Sequence, residues 1–215
     1  MMNVLVVGAN GQVGKLLVNQ LRDSQEHTVK AMVRREEQAE AFKKLDLEVA
    51  VACLEQSVED IAQAARGCNA IVFTAGSGRH TGYDKTLLID LDGAVKTIEA
   101  AEKVGIKRFI MVSAIQAHRR ENWNEKMLPY YAAKYYADKM LEQSELTYTI
   151  IRPGGLLSEP GTGMITAAED IRSGRIPRED VATTIIHSLT EENTYYQSFD
   201  LVSGGVPVSE ALKLI

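Results

Sequence analysis

Val6-Val7-Gly8-Ala9-Asn10-Gly11-Gln12-Val13-Gly14 joins the end of a short apolar run, Val4 to Val7, to the start of an amphipathic stretch that opens at Val13. The three glycines fall in the pattern G-x-x-G-x-x-G, and at a strand-to-helix junction each has its own task. Gly8 permits the tight turn, Gly11 lets a pyrophosphate approach the backbone, and Gly14 lets the helix pack closely on the strand. The free N–H groups at the start of such a helix face the anion. Glycines can also do no more than shape a turn, but their register with both a strand and a helix points to a dinucleotide.

Outward from this junction the pattern repeats. Short runs rich in Val, Ile, Leu and Phe predict strands at Asn3–Val7, Thr28–Val33, Glu48–Ala52, Ala70–Thr74, Arg108–Val112, Tyr148–Arg152 and Ser198–Val202. Helical stretches are predicted between them and after the last, at Val13–Arg22, Glu36–Leu45, Val58–Arg66, Tyr83–Val104, Pro129–Ser144, Glu179–Leu189 and Ser209–Leu214. Alternating strands and helices imply an α/β fold with a parallel sheet, and strands apolar on both faces belong between two helix layers. The chain of 215 residues suits one such domain, residues 1–215, with no Pro/Gly/Ser linker to divide it.

The formal charge of −5 argues against a broad electrostatic surface for nucleic acid or anionic membrane. The first apolar run is too short to span a bilayer and no basic leader precedes it, so no export signal is expected and the location expected is cytoplasmic. Cys53 and Cys68 lack ligand spacing and are expected to be reduced, with no metal site. The second predicted strand ends Met32-Val33-Arg34-Arg35, about twenty residues past the glycine loop, where the residue that chooses between NAD and NADP is expected. Arginine there accommodates a 2′-phosphate, so Arg34, and with it Arg35, predicts NADP over NAD.

Further motifs follow in order: Phe73-Thr74-Ala75-Gly76, Val112-Ser113-Ala114, Tyr130-x-x-x-Lys134, Ile151-Arg152-Pro153-Gly154-Gly155 and Glu179-Asp180-Val181-Ala182. With the glycine loop they resemble the atypical, extended-like branch of the short-chain dehydrogenase/reductase superfamily, which includes small NAD(P)-binding proteins described as epimerase-like or NmrA-like. The resemblance covers nearly the whole chain. It implies a Rossmann, doubly wound parallel sheet of order 3-2-1-4-5-6-7, a single domain with a short C-terminal substrate region, and a cofactor across the carboxyl ends of the strands. It also implies that Gly8, Asn10, Gly11, Gln12 and Val13 contact pyrophosphate, Arg34 the 2′-phosphate, and Ala75 and Gly76 the adenosine ribose side. Lys134 would hold the nicotinamide ribose, with the backbone of Pro153, Gly154, Gly155 and Leu156 flanking the carboxamide. Two departures stand out. Relatives often carry an aspartate after the third strand, where this chain reads Val51-Ala52-Cys53-Leu54, which leaves adenine to backbone groups at Cys53 and Leu54. Relatives also carry several serines after the fifth strand, where here Ser113 is followed by Ala114-Ile115-Gln116.

A free phenol has a pKa near 10, so tyrosine needs a nearby positive charge to serve as an acid–base group at neutral pH. In a helix residues i and i+4 share a face, which pairs Tyr130 with Lys134 and leaves Tyr131 with Tyr135. The expected chemistry is hydride transfer to a substrate while Tyr130 gives the oxygen a proton, Lys134 lowers the tyrosine pKa, and Ser113 polarises the oxygen. The competing reading is an amphipathic helix with Pro129 in its first turn and its tyrosines packed on the sheet; Tyr131, Tyr135 and Tyr136 are assigned to packing or the pocket wall. The polar stretch from Gln116 to Glu125, with Trp123 and His118, is a candidate substrate wall. The loop Gly76 to Gly82, with Arg79 and His80, could close over the cofactor, and Ser158 to Gly163 is expected to act as a lid.

These readings converge on an NADPH-dependent oxidoreductase acting on a small carbonyl, quinone or flavin-like acceptor. A non-enzymatic NADP-binding redox sensor and a nucleotide-sugar epimerase or dehydratase stay open, the last disfavoured by the short chain after Arg152. The expected partner is a small-molecule substrate, with pairing of two copies through the Tyr83–Val104 and Pro129–Ser144 helices left open.

Overall fold

The computed structural model describes residues 1–78 and 80–215; Arg79 of the Gly76–Gly82 loop lies outside the described residues. Its elements run in chain order: β1 (Met2–Val7), α1 (Gln12–Arg22), β2 (His27–Val33), α2 (Glu36–Lys43), β3 (Glu48–Val51), α3 (Val58–Ala65), β4 (Ala70–Phe73), α4 (Tyr83–Lys85), a π-helical segment (Thr86–Asp92), α5 (Gly93–Val104), β5 (Arg108–Val112), α6 (Leu128–Glu142), β6 (Thr147–Pro153), β7 (Gly155–Leu157), β8 (Met164–Ala168), β9 (Arg175–Pro177), α7 (Arg178–Ser188), β10 (Gln197–Ser203), β11 (Val206–Pro207) and α8 (Val208–Leu212). The main sheet has nine strands in the order β11-β8-β10-β6-β5-β4-β1-β2-β3. From β3 to β10 every neighbouring pair is parallel. With β10 as the seventh strand, this is the Rossmann order 3-2-1-4-5-6-7 that the family resemblance implies.

The nearly continuous apolar runs are explained by the two-residue period of a strand. In β1, Val4 and Val6 enter the core layer shared with Leu17, Leu21, Val181 and Ile185. Leu5 and Val7 point the other way, among Ile71, Phe73, Ile98 and Leu141. Each face is therefore covered by helices, as a parallel sheet requires. No helix among the described residues is long and apolar enough to cross a membrane.

Three differences from the sequence reading matter. Beyond the seven predicted strands, β8 runs antiparallel to β10 and β11 antiparallel to β8, which closes one edge of the sheet, while β7 and β9 form a separate parallel pair. These segments are two to five residues long and carry no sustained period, which is why they read as loops. The stretch predicted as one helix, Tyr83–Val104, contains the π-helical Thr86–Asp92. Its wider turn carries Asp90 into the interior, where it is 1% exposed. Such turns recur at functional sites.

Arg108 ties the far end of α7 to the sheet. It is buried and donates to the carbonyls of Ser188 and Leu189, to the Thr147 carbonyl and to Thr149 Oγ1, with Tyr195 stacked 4.5 Å from its guanidinium carbon. The last carbonyls of a helix lack partners within it, and a cation there meets both that need and the helix dipole. Burial lowers the Arg108 pKa to about 10, which still leaves it charged at neutral pH. Arg108→Met strips this charged donor from buried carbonyls, an expected loss of roughly 2–4 kcal/mol. The thermal unfolding midpoint is expected to fall by roughly 5–15 °C, measured by calorimetry.

Candidate active site

β1 hydrogen-bonds to both β2 and β4, so the chain reverses its direction of travel across the sheet there and leaves a crevice beyond the strand ends. The geometry at that point admits only glycine. Gly8 has φ +86°, and a Cβ on it would sit 2.7 Å from the Ala75 backbone nitrogen; one on Gly14 would sit 2.3 Å from the Gly8 oxygen. A Cβ on Gly11 would meet only the Gly8 oxygen, at 3.1 Å, because its other side faces the crevice.

Helix α1 has Gly11 at its N-cap, with no side-chain cap and no acidic residue in its first turn. In contrast, α3 is closed by a reciprocal capping box between Ser57 and Asp60. The positive end of α1 is thus left for an outside anion. It opens on a cleft of about 470 Å³ lined by Gly8, Asn10, Gly11, Gln12, Val13, Arg34, Cys53, Leu54, Ala75, Gly76 and Leu156 among the predicted residues. The donors, the glycine turn and the apolar floor fit a dinucleotide. The cleft also takes in residues that the sequence reading did not single out for it, among them Gln38, Lys85 and Arg178. Gln38 accepts from the Arg34 backbone N–H at 3.2 Å, which fixes the turn that presents Arg34. Arg35 is the N-cap of α2 and is not in the lining.

Tyr130, Lys134 and Asp138 lie at i, i+4 and i+8 of α6, on one face. Lys134 is 3% exposed; its Nζ donates to the Val112 carbonyl at 3.3 Å and pairs with Asp90 Oδ1 at 3.4 Å. The other Asp90 oxygen accepts from the Ser77 N–H at 2.9 Å, and Ser77 lines the cleft. The π-helical turn therefore connects the buried lysine to the cleft wall. Lys134 Nζ is 5.8 Å from the Tyr130 ring centroid.

The expected lowering of the tyrosine pKa does not occur. Burial raises the Tyr130 phenol above its ordinary value, and the attraction of Lys134 is the smaller effect. Asp90 shares that ammonium. Burial lowers the Lys134 pKa, but the neighbouring Tyr130, Asp90 and Asp138 together outweigh it and hold the pKa above the ordinary value. Tyr130 is a neutral phenol beside a firmly charged lysine.

Ser113 is also not where the chemistry expected it. Like Tyr130 and Lys134 it lies outside the cleft lining; it is 4% exposed and donates its hydroxyl to Asp138 Oδ2 at 2.8 Å. Burial pushes Asp138 up to about 7, and its second oxygen has no partner. The Pro153–Gly155 backbone is equally committed: the Pro153 carbonyl accepts from Ile115 N–H, Gly154 N–H donates to Leu201 and Gly155 N–H to Gly174. Of that segment only Leu156 lines the cleft.

The two outer loops are anchored. Gln116, at φ +59°, donates through Nε2 to Asp170 Oδ1, the Ile171 carbonyl and Asp200 Oδ2, while Arg152 holds Asp200 from the other side at 3.1 Å. Trp123 stacks on Tyr131 with centroids 6.1 Å apart and meets Tyr135 edge-on, and Arg120 lies 4.5 Å above the Tyr135 ring. His118, Asp170 and Asp200 each bring a ligand-type atom within 4.8 Å, but both carboxylates are already engaged by Gln116 and Asp200 also by Arg152. Burial, with Arg152 nearby, keeps His118 below its ordinary pKa. The predicted lid Ser158–Gly163 is instead tied down, because Glu179 accepts from Gly161 N–H and Asp180 from Thr162 and Gly163 N–H, at 2.7, 3.0 and 2.8 Å. Cys53 lines the cleft, whereas Cys68 is buried in the core and burial pushes its thiol up to about 11.

Residues 8–192 match the NAD(P)H-binding family. The chain is 61% identical over 212 residues to YhfK of Bacillus subtilis, described as an uncharacterized sugar epimerase, across 99% of both chains. A putative NAD-dependent epimerase/dehydratase from Bacillus halodurans superposes with a TM-score of 0.94 at 41% identity over 100% of each chain. The oxidoreductase ylbE from Lactococcus lactis superposes at 0.89 with 31% identity, over 100% of this chain and 96% of that one.

A buried carboxyl titrating near 7 rather than near 4 makes a signed prediction. The folded state keeps the Asp138 proton that the unfolded chain releases, so its contribution to stability is present at low pH and lost as pH rises through about 7. Asp138→Asn removes that dependence. The mutant-minus-wild-type unfolding midpoint is expected to grow from about pH 4 to about pH 7 and then level off; a difference that stays flat across that range contradicts a neutral Asp138.

Proposed function

Because the chain belongs to the NAD(P)H-binding family, we propose that it is an NADPH-dependent oxidoreductase acting on a small carbonyl, quinone or flavin-like acceptor. Its relatives place it among oxidoreductase- and epimerase-like proteins. The observation that carries the finer reading is the α6 face, where a half-buried, neutral Tyr130 stands beside a Lys134 fixed by Asp90 and the Val112 carbonyl. Bound NADPH supplies the hydride. Tyr130, protonated at neutral pH, then donates its phenolic proton to the acceptor oxygen, with the Lys134 ammonium beside it offsetting part of the cost of the phenolate. Lys134 stabilises the phenolate left behind and holds the nicotinamide ribose. Asp90, held by the Ser77 N–H at the cleft wall, positions Lys134. Arg34 holds the 2′-phosphate at the other end.

With Ser113 committed to Asp138, this chemistry uses one donor at the acceptor oxygen. That commitment is also the observation favouring the second reading, an NADP-binding redox sensor without turnover. The epimerase names of two similar proteins support a third, but the chain after β6 goes into the β8/β11 edge, α7 and α8, which leaves little to enclose a sugar nucleotide.

NADPH oxidation followed by its absorbance against a panel of carbonyls, quinones and flavins tests the proposal. Tyr130→Phe is expected to lower kcat roughly 10²- to 10⁴-fold with the NADPH Kd unchanged. Micromolar cofactor binding with no turnover of any acceptor would leave the sensor. Arg34→Asp is expected to weaken NADPH binding by roughly 1.5–3 kcal/mol more than NADH binding. Equal losses for the two cofactors would remove Arg34 from the 2′-phosphate.

A further inference from the structure

Arg178 is the first residue of α7 and reaches the same cleft as the glycine loop. Its charge is not spent. Nη1 donates to Ser158 Oγ at 3.2 Å, and among the described residues no carboxylate pairs with it. The two acids that follow it in the chain would be its natural partners, yet Glu179 accepts from the Gly161 N–H and Asp180 from the Thr162 and Gly163 N–H groups. The other guanidinium cation in the lining, Arg34, sits at the β2 end, and Lys85 is paired with Glu55. A guanidinium has five donors in a planar fork that matches a phosphate, and here a single neutral hydroxyl occupies one of them.

We propose that Arg178 binds the pyrophosphate of the dinucleotide, opposite the uncapped start of α1, and that Ser158 positions it. The inference rests on the cofactor reading given above. Helix α1 supplies backbone donors and a partial positive charge, and α7 supplies a full one; a dianionic pyrophosphate takes both. Gln20, near the C-terminal end of α1, donates to the Glu179 carbonyl and to Thr183 Oγ1 of α7, so the two helices pack on each other, and it is the shared cleft lining that brings Arg178 to the glycine loop. Arg178 and Arg34 then have separate tasks. Arg34 discriminates NADP from NAD, whereas Arg178 acts on a group common to both.

Titration calorimetry with NADP⁺, NAD⁺ and ADP-ribose, which keeps the pyrophosphate but lacks nicotinamide and the 2′-phosphate, separates the possibilities. Arg178→Gln is expected to weaken all three by one common factor of roughly 10- to 100-fold. Ser158→Ala, at an exposed position, is expected to weaken all three by a smaller common factor and serves where Arg178→Gln fails to fold. Unchanged affinity in Arg178→Gln with normal wild-type binding overturns the role of Arg178 and leaves the cofactor reading intact. A loss confined to NADP⁺ places Arg178 at the 2′-phosphate and also overturns the proposal. No binding of any of the three by the wild type overturns the cofactor reading, and the proposal with it.

Discussion

The contact between Gly8 and Ala75 is the constraint on which the site depends. Strand β1 must pair with β2 on one side and β4 on the other, and the loops leaving β1 and β4 then cross at their carboxyl ends. They cross so closely that a single added methyl at position 8 would lie 2.7 Å from a backbone nitrogen. This tight turn directs the chain into α1 with its first N–H groups toward the crevice. Gly14, pressed against the Gly8 oxygen, then holds the helix at that angle. The cleft exists because two neighbouring strands lead their helices to opposite faces of the sheet, and the glycine turn makes it electropositive.

The second half of the site is an electrostatic problem solved in a dry interior. A lysine buried on α6 would lose its proton without partners. Asp90 supplies the charge and Val112 a carbonyl. Asp138, one turn further along the same helix, does not need to be charged as well, and burial keeps its proton near neutrality. One carboxylate against one ammonium leaves Tyr130 without a surplus positive charge nearby. Burial of the phenol outweighs the pull of Lys134, so Tyr130 holds its proton at neutral pH.

Much of the fold was legible because it follows from repeated local patterns. Seven strands announced themselves by short runs rich in Val, Ile, Leu and Phe, and Gly105 stopped α5 in the left-handed conformation that glycine adopts freely, at φ +77°. The i to i+4 spacing likewise placed Tyr130 and Lys134 together. What was not legible depends on distant partners. Nothing local marks the π-helical turn at Thr86–Asp92, since its value lies in bringing Asp90 to Lys134. Ser113 sits at the expected strand end, but Asp138, twenty-five residues later, takes its hydroxyl. Glycine-rich Ser158–Gly163 reads as a flexible lid until Glu179 and Asp180 are seen to bind its backbone.

That last observation gives the late Glu179-Asp180-Val181-Ala182 motif a physical sense. Val181 and Ala182 are buried against the sheet, which orients the helix. With its register fixed, Asp180 lies fully buried under the loop and Glu179 at its edge. Carboxylates in the first turn of a helix are favoured by its dipole, so α7 loses nothing by carrying them there. Their hydrogen-bonding capacity goes to loop N–H groups instead of to the neighbouring arginine. The C-terminal part of the chain thus builds no separate lobe; it braces one wall of the cleft and leaves a cation uncompensated in it.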